Sequence, residues 1–331
     1  MQQRIDWIDK AKGFAIFLMV MGHVIAWSFD SFDEVKANGD MELLVLWRFI
    51  YSFHMPLFMF CSGFLFYKTV DWFSFNNVKG MLWKRVQSLL IPYICAGFLI
   101  YLLDGTAFKY WFLWYLFIFS VFTAIVFLVF KYLIKIKWQQ EIITALLLFI
   151  SLGCFKIGGG KNPLFDSNLN FYLYFSLGII YRMWCITDKV LKHNWTYTLS
   201  LLVFCALFCL KFVGLSNIWT SMITAIAGIN VFVTYFDYHH SSKHKYWEWL
   251  GRMSLQIYII HFFFTINIPE IGDYITTVFQ QFDVRSVMVI EFATSFMLSI
   301  LVIFLCYLVN EILGKSDLLS RLFLGRRAIK E

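Results

Sequence analysis

The sequence has few charged residues and few prolines. Only 15% of its 331 residues are Asp, Glu, Lys or Arg, and only four are Pro. A soluble domain carries about 25% charged residues, and disordered segments and coiled coils are richer still in polar side chains. Apolar residues make up 60% of the chain and aromatic residues 21%. This composition excludes a disordered chain, a coiled coil and an ordinary cytosolic globular protein.

The spacing of the cysteines does not indicate a metal-binding or redox function. The seven cysteines form no CxxC pair and no spacing typical of a zinc site. Most of them lie in or beside apolar stretches, where cysteine behaves as a small hydrophobic residue. The net charge of +7 does not favour nucleic acid, because Lys and Arg lie in short connections between apolar stretches. We therefore expect no disulfide framework, no metal and no nucleic-acid partner.

Long apolar stretches follow one another along the chain, many of them close to the roughly 20 residues that cross a bilayer as a helix. They lie near residues 11–29, 44–67, 88–104, 110–130, 141–155, 170–187, 196–213, 217–235, 253–269 and 286–309. The sequence thus predicts an all-α integral membrane protein, a bundle of about ten transmembrane helices that forms a single domain over residues 1–331.

Lys and Arg concentrate at both ends of the chain and in alternate connections, whereas the intervening connections are poorer in basic residues and often acidic. Cytoplasmic loops carry an excess of Lys and Arg. Together with an even number of spans, this alternation predicts that both termini are cytoplasmic.

Several ionisable residues fall inside the predicted spans, and five of them stand out as candidates for function. They are His23, Arg48, His54, His261 and Glu291. Each is a functional candidate, because an ionisable side chain inside a bilayer costs a few kcal/mol on insertion scales. The three histidines share a middle layer if the helices pack suitably.

Structural explanations compete with these functional ones. A single histidine in a bundle also serves by hydrogen bonding to a neighbouring backbone. Arg48 is able to extend toward the outer interface, and Glu291 to pair with it or with another cation. Three histidines at one depth are also compatible with a proton relay or a metal site, although the spans lack His–His pairs at ligand spacing and supporting cysteines.

Several short segments, taken in order, resemble the membrane proteins of acyltransferase family 3. They are IDWIDKAKGF (5–14) with VMGH (20–23), FHMPLFMFCSGFLF (53–66), KRVQSLLIPY (84–93), WFLWYL (111–116), FSLG (175–178) and GRMSLQIYIIH (251–261). Lys12 stands where the family often has Arg. The resemblance is closest to compact members that lack an appended soluble domain.

The resemblance implies transfer of an acyl group, usually acetyl, from acyl-CoA to a hydroxyl of a cell-surface glycan or lipid-linked sugar. The protein would act in the cell membrane, with acyl-CoA as co-substrate and no bound cofactor. His23 is the expected general base, with His54 as the second choice or as a second proton carrier. Asp9 is the third catalytic candidate and is expected near the inner mouth of the site.

Three cations are candidates for binding the anionic parts of CoA: Lys12, Lys84 and Arg85. The excess of positive charge in cytoplasmic connections explains the sign of Lys84 and Arg85 equally well. Ser254, Tyr258 and His261 share one helical face, which either lines the site or supplies polar contacts between helices. Trp114 is a candidate for stacking on a sugar or for the interfacial aromatic belt.

A transporter is the alternative from another functional class, because polar residues at mid-bilayer also mark the pathways of substrates and protons. The sequence shows no inverted repeat and no paired spans broken by Gly or Pro, which weakens this alternative.

Overall fold

The computed structural model describes residues 5–27, 41–67, 75–105, 110–133, 139–158, 167–210, 215, 217–239, 245–265 and 284–325. Within them the chain forms thirteen α-helices and no strand. In chain order the helices are α1 Asp6–Trp27, α2 Met41–Phe66, α3 Phe75–Arg85, α4 Ile91–Asp104, α5 Trp111–Leu133, α6 Gln139–Gly158, α7 Tyr172–Met183, α8 Asn194–Leu210, α9 Ile218–Thr234, α10 Lys245–Arg252, α11 Ser254–Ile260, α12 Val284–Gly314 and α13 Asp317–Phe323.

A helix lies at each of the ten apolar stretches, so the prediction of an all-α membrane protein is confirmed for the described residues. Six helical segments are long and apolar enough to cross a bilayer: Val45–Phe66, Asn77–Leu103, Trp111–Phe130, Gln140–Gly158, Ile218–Asp237 and Phe292–Gly314. They are helical because only a helix satisfies its own backbone hydrogen bonds in lipid. The count of ten spans and the orientation of the termini stay predictions.

The remaining four stretches form helices that differ from these six. Four charged residues occupy the first two turns of α1. The other three helices, α7, α8 and α11, have 12, 17 and 7 residues. The predicted ninth span, 253–269, departs most from expectation, since α11 ends at Ile260 and a 3₁₀ turn follows over His261–Phe263.

The centre of the bundle is built on two close helix crossings. A Cβ atom at Gly13 of α1 would overlap the carbonyl oxygen of Trp247 in α10, and one at Gly251 would overlap that of Asp9. The same reciprocal arrangement joins α2 and α7: a Cβ at Gly63 would overlap the carbonyl of Phe175, and one at Gly178 that of Phe60. Small residues allow helix backbones in membranes to approach this closely.

These four glycines all belong to the segments that resemble acyltransferase family 3. Those segments therefore have a packing role as well as a chemical one. The two crossings hold α1 and α2, which carry His23 and His54, against α10 and α7.

A π-helical turn over Val86–Leu90 links α3 to α4, and Pro92 lies in the first turn of α4. Pro92 has no N–H to donate, and the hydrogen-bond register changes directly before it, where the Ile91 N–H bonds to the Val86 carbonyl in the π-helical turn. The chain after α13 returns to this turn, where Gly325, at φ +63°, packs on the Ser88 backbone. Gln256 of α11 donates a hydrogen bond to the Leu324 carbonyl at 3.3 Å. This C-terminal segment ties α11 to the π-helical turn.

Candidate functional site

A cavity of about 170 Å³ lies between α1, α2, α5, α11 and the π-helical turn. Its polar lining consists of Lys12, Arg85, Ser88, Ser254 and Tyr258, and the remainder is apolar. Pockets for drug-sized ligands measure roughly 300–1,000 Å³. The cavity therefore has room for one group of a larger ligand.

The cavity is electrically positive. Lys12 Nζ lies 3.5 Å from the Asp9 carboxylate, which is almost fully buried, so these two charges offset one another. Arg85 forms no ion pair or hydrogen bond with any residue that the structure describes. A guanidinium is able to bind an anionic group such as a phosphate in bidentate geometry.

Tyr258 forms part of the cavity wall. Its buried hydroxyl has no side-chain hydrogen-bond partner in the described part of the chain. Ser254, one turn earlier on α11, donates to the Gly251 carbonyl at 2.8 Å. Tyr258 and Ser254 thus bring the same face of α11 to the cavity, as their spacing in the sequence predicted.

Two of the predicted histidines come into direct contact in the core. His23 Nδ1 lies 2.8 Å from His261 Nε2, and His261 Nδ1 lies 3.1 Å from the Ile257 carbonyl oxygen. His261 is fully buried and His23 is partly buried. At 1.5 Å per residue, His23 lies about 17 Å along α1 from Lys12. The helix α1 therefore carries a cation at the cavity and an imidazole far deeper in the bundle.

His54 lies close to this pair without a hydrogen bond to it. Its Nδ1 donates to the Ile50 carbonyl at 2.7 Å, and the ring packs edge-on against Tyr51 at 4.8 Å between centroids. A carbonyl only accepts, so Nε2 of a neutral His54 is unprotonated. The Tyr51 ring also packs against Gly22, the residue before His23, so His54 lies beside this part of α1. The middle layer of three histidines expected from the sequence thus contains one bonded pair and one neighbour.

Three other predicted site residues, Lys84, Arg48 and Trp114, lie outside the cavity lining. Lys84 is exposed, and its neighbour Arg85 is the one that reaches the cavity. Arg48 is partly buried in α2 outside the cavity lining. Trp114 is 39% exposed and stacks on Tyr93 at 5.6 Å. Glu291 belongs to α12, but its side chain lies outside the described residues.

Two residues near the site, Tyr110 and Ser88, were not predicted from the sequence. The Tyr110 hydroxyl donates to the Ile259 carbonyl at 2.7 Å, and its ring lies 5.1 Å from Phe262 and 6.0 Å from Tyr258. Tyr110 therefore stabilises the end of α11, directly before His261. The only signal in the sequence was its position directly before Trp111 in a segment of the family pattern.

The apolar helices, the positive cavity and the histidine pair define a multi-pass membrane protein with polar groups inside its helix bundle. Residues 5–310 match the family model described as an acyltransferase domain. The chain therefore belongs to acyltransferase family 3, as its short segments predicted.

One relative is similar over part of the chain. A stretch of 90 residues is 36% identical to nodulation protein NolL of Sinorhizobium fredii, covering 27% of this chain and 22% of that protein. The matching stretch is thus a minor part of either protein. No solved structure matches the chain.

Proposed function

We propose that this protein transfers an acyl group, acetyl above all, from acyl-CoA to a hydroxyl of a cell-surface glycan or lipid-linked sugar in the plasma membrane. The observation that carries the proposal is the pairing, along α1, of a positive cavity with a deeper imidazole. Acyl-CoA is itself a long molecule with an anionic nucleotide at one end and a thioester at the other. Its two ends match the positive charges of Lys12 and Arg85 at the cavity and the imidazole of His23 farther along α1.

Binding of the acyl donor is assigned mainly to Arg85. Its guanidinium has no acidic partner among the described residues and faces a cavity that includes Lys12. A phosphate of CoA would supply the missing negative charge in a setting with little water, where charge-assisted hydrogen bonds are strong. The cavity is small, so it would hold one phosphate or part of the pantetheine arm rather than the whole cofactor.

The chemical step depends on His23. The acceptor hydroxyl attacks the thioester carbonyl, a new C–O bond forms, the C–S bond breaks and CoA leaves as the thiol. His23 takes the proton of the hydroxyl as the attack proceeds and returns it to the departing sulfur. His54, close to His23 and with its own unprotonated nitrogen, is the candidate second proton carrier.

Transfer by the purified protein tests this function. With acetyl-CoA labelled in the acetyl group, protein in lipid nanodiscs is expected to move label to a lipid-linked or soluble glycan acceptor and to release one thiol per acetyl group. Movement of glycan across proteoliposomes without consumption of acetyl-CoA would contradict the proposal and favour the transporter.

Charge reversal at Arg85 is expected to weaken donor binding. Arg85→Glu places a carboxylate in the cavity beside Lys12, so we expect the KM for acetyl-CoA to rise at least about tenfold, since loss of a charged hydrogen bond costs about 1.5–3 kcal/mol. The kcat should fall much less. Steady-state kinetics at varied acetyl-CoA measures both.

Two further variants sharpen this test. Lys84→Glu changes an exposed neighbour outside the cavity and should raise the KM less than Arg85→Glu does. Lys79→Glu, also exposed on α3, is the matched control and should leave the KM unchanged. Equal effects of all three reversals would show that only the overall surface charge matters.

A further inference from the structure

The geometry points to His261 as the positioning residue that fixes the proton on Nδ1 of His23 and so makes Nε2 the basic nitrogen. This inference rests on the proposed function, in which His23 is the general base. Its evidence is a chain of two hydrogen bonds that ends on a backbone carbonyl: Ile257 to His261 to His23.

The direction of both hydrogen bonds follows from the backbone carbonyl at the end of the series. A carbonyl oxygen accepts hydrogen bonds and cannot donate them, so His261 Nδ1 carries a proton. In a neutral imidazole the other nitrogen is then an acceptor. His261 Nε2 consequently accepts from His23 Nδ1, which leaves Nε2 of His23 unprotonated.

The neutral form of His261 is the one that its surroundings favour. The residue is fully buried, and it forms no ion pair with any residue of the described chain. Burial without a carboxylate disfavours an imidazolium. Aromatic rings pack on it instead, with Phe262 at 4.1 Å and Tyr258 at 5.8 Å between centroids.

The relative orientation of the two rings supports a directed hydrogen bond. The ring centroids are 5.1 Å apart and the bonded nitrogens 2.8 Å, and the planes differ by 19°. The centroid distance exceeds the nitrogen–nitrogen distance by about two ring radii, which is the largest difference that two imidazole rings allow. The nitrogens therefore lie on the line between the centroids, and the rings meet end to end in nearly one plane rather than face to face. This arrangement aims the N–H of His23 at the lone pair of His261.

The consequence is catalytic. A histidine in water exchanges its proton between the two nitrogens, and a base that presents its N–H to the substrate hydroxyl cannot take that proton. A partner that selects the correct tautomer therefore raises kcat without touching either substrate, as in the hydrogen bonds that orient catalytic and metal-binding histidines elsewhere.

A matched pair of variants tests this role. His261→Gln keeps an oxygen that can accept from His23 Nδ1, whereas His261→Met has a similar length and no strong acceptor. We expect His261→Gln to retain kcat within a few fold and His261→Met to lose about 10- to 100-fold. The KM for acetyl-CoA should change little in either, because His261 is not part of the cavity lining.

The tautomer itself is measured without substrates. In protein labelled with ¹⁵N-histidine, the His23 signals, assigned by their loss in His23→Gln, should show a protonated Nδ1 and an unprotonated Nε2. In His261→Met this preference should be lost. A wild-type His23 protonated at Nε2, or equal kcat in the Gln and Met variants, would overturn the inference.

The spectroscopic outcome is independent of whether His23 is the base, and the kinetic comparison is read only if His23→Gln is inactive. If the spectrum shows the expected tautomer but His23→Gln stays fully active, the hydrogen-bond chain stands and the proposed role of His23 fails. If His23→Gln is inactive while His261→Met matches His261→Gln, the base stands and the positioning role of His261 fails.

Discussion

His23→Ala is expected to lower the turnover of acyl transfer about 10²–10⁴-fold, the usual contribution of general-base assistance. A sugar hydroxyl is a weak nucleophile near neutral pH, and its oxygen attacks the thioester efficiently only when a base accepts its proton. The substitution removes the imidazole that bonds to His261 and leaves the apolar packing of α1 largely intact. The KM for acetyl-CoA should change little, because His23 does not line the cavity.

Three comparison variants define what the loss means. His23→Gln keeps a hydrogen-bonding side chain of similar reach but no base, so it should be as inactive as His23→Ala. His54→Ala should lower turnover as well if the neighbouring ring carries protons. His193→Ala changes an exposed residue beyond α7 and should have no effect. Near wild-type transfer by His23→Gln would identify His23 as a packing residue and direct the search to His54.

Gly63→Ala is expected to destabilise the protein by about 3 kcal/mol or more, an effect at the upper end of those caused by overpacking. The new methyl group would overlap the Phe175 carbonyl, and a backbone carbonyl has no alternative rotamer through which to move away. The helices α2 and α7 would have to separate along their crossing. Thermal unfolding in detergent, followed by the loss of monodisperse protein, measures the effect.

Gly153→Ala is the matched control, since it is also a helical glycine but a Cβ there meets nothing within 4 Å. It should be neutral or mildly stabilising, because alanine is favoured over glycine in helices by about 1 kcal/mol. Gly63→Ala combined with Gly178→Ala should cost less than the sum of the two single changes, because one separation of the helices relieves both overlaps. Equal unfolding temperatures for Gly63→Ala and Gly153→Ala would show that the crossing is looser than described.

Much of the architecture was predictable from the sequence because a bilayer imposes a strong constraint. Runs of apolar residues near the length of a span form helices, and a helix lies at each of the ten stretches that the hydrophobic pattern marked. Periodicity could not predict the break at Met253 between α10 and α11, or the 3₁₀ turn that begins at His261. The 3₁₀ turn lies next to a contact from a distant part of the chain, the hydrogen bond from the Tyr110 hydroxyl to the Ile259 carbonyl. Local periodicity does not report such contacts.

The candidate site was predictable as a set of residues and not as an arrangement. The cost of burying an ionisable group singles out His23, His54 and His261 in the sequence alone. The sequence could not show that His23 bonds to His261 rather than to His54, because 238 residues separate that pair. Nor could it separate Lys84 from Arg85, which are adjacent and equally basic.

By itself, then, the sequence determined the membrane class, the helical content, the family and the residues with reactive side chains, since these depend on composition and on local order along the chain. Only the tertiary structure decided which cation faces the cavity and which nitrogen of His23 holds its proton. Both depend on contacts between helices distant in the sequence. The glycine crossings set those contacts, because they fix how closely and at what height α1 meets α10 and α2 meets α7.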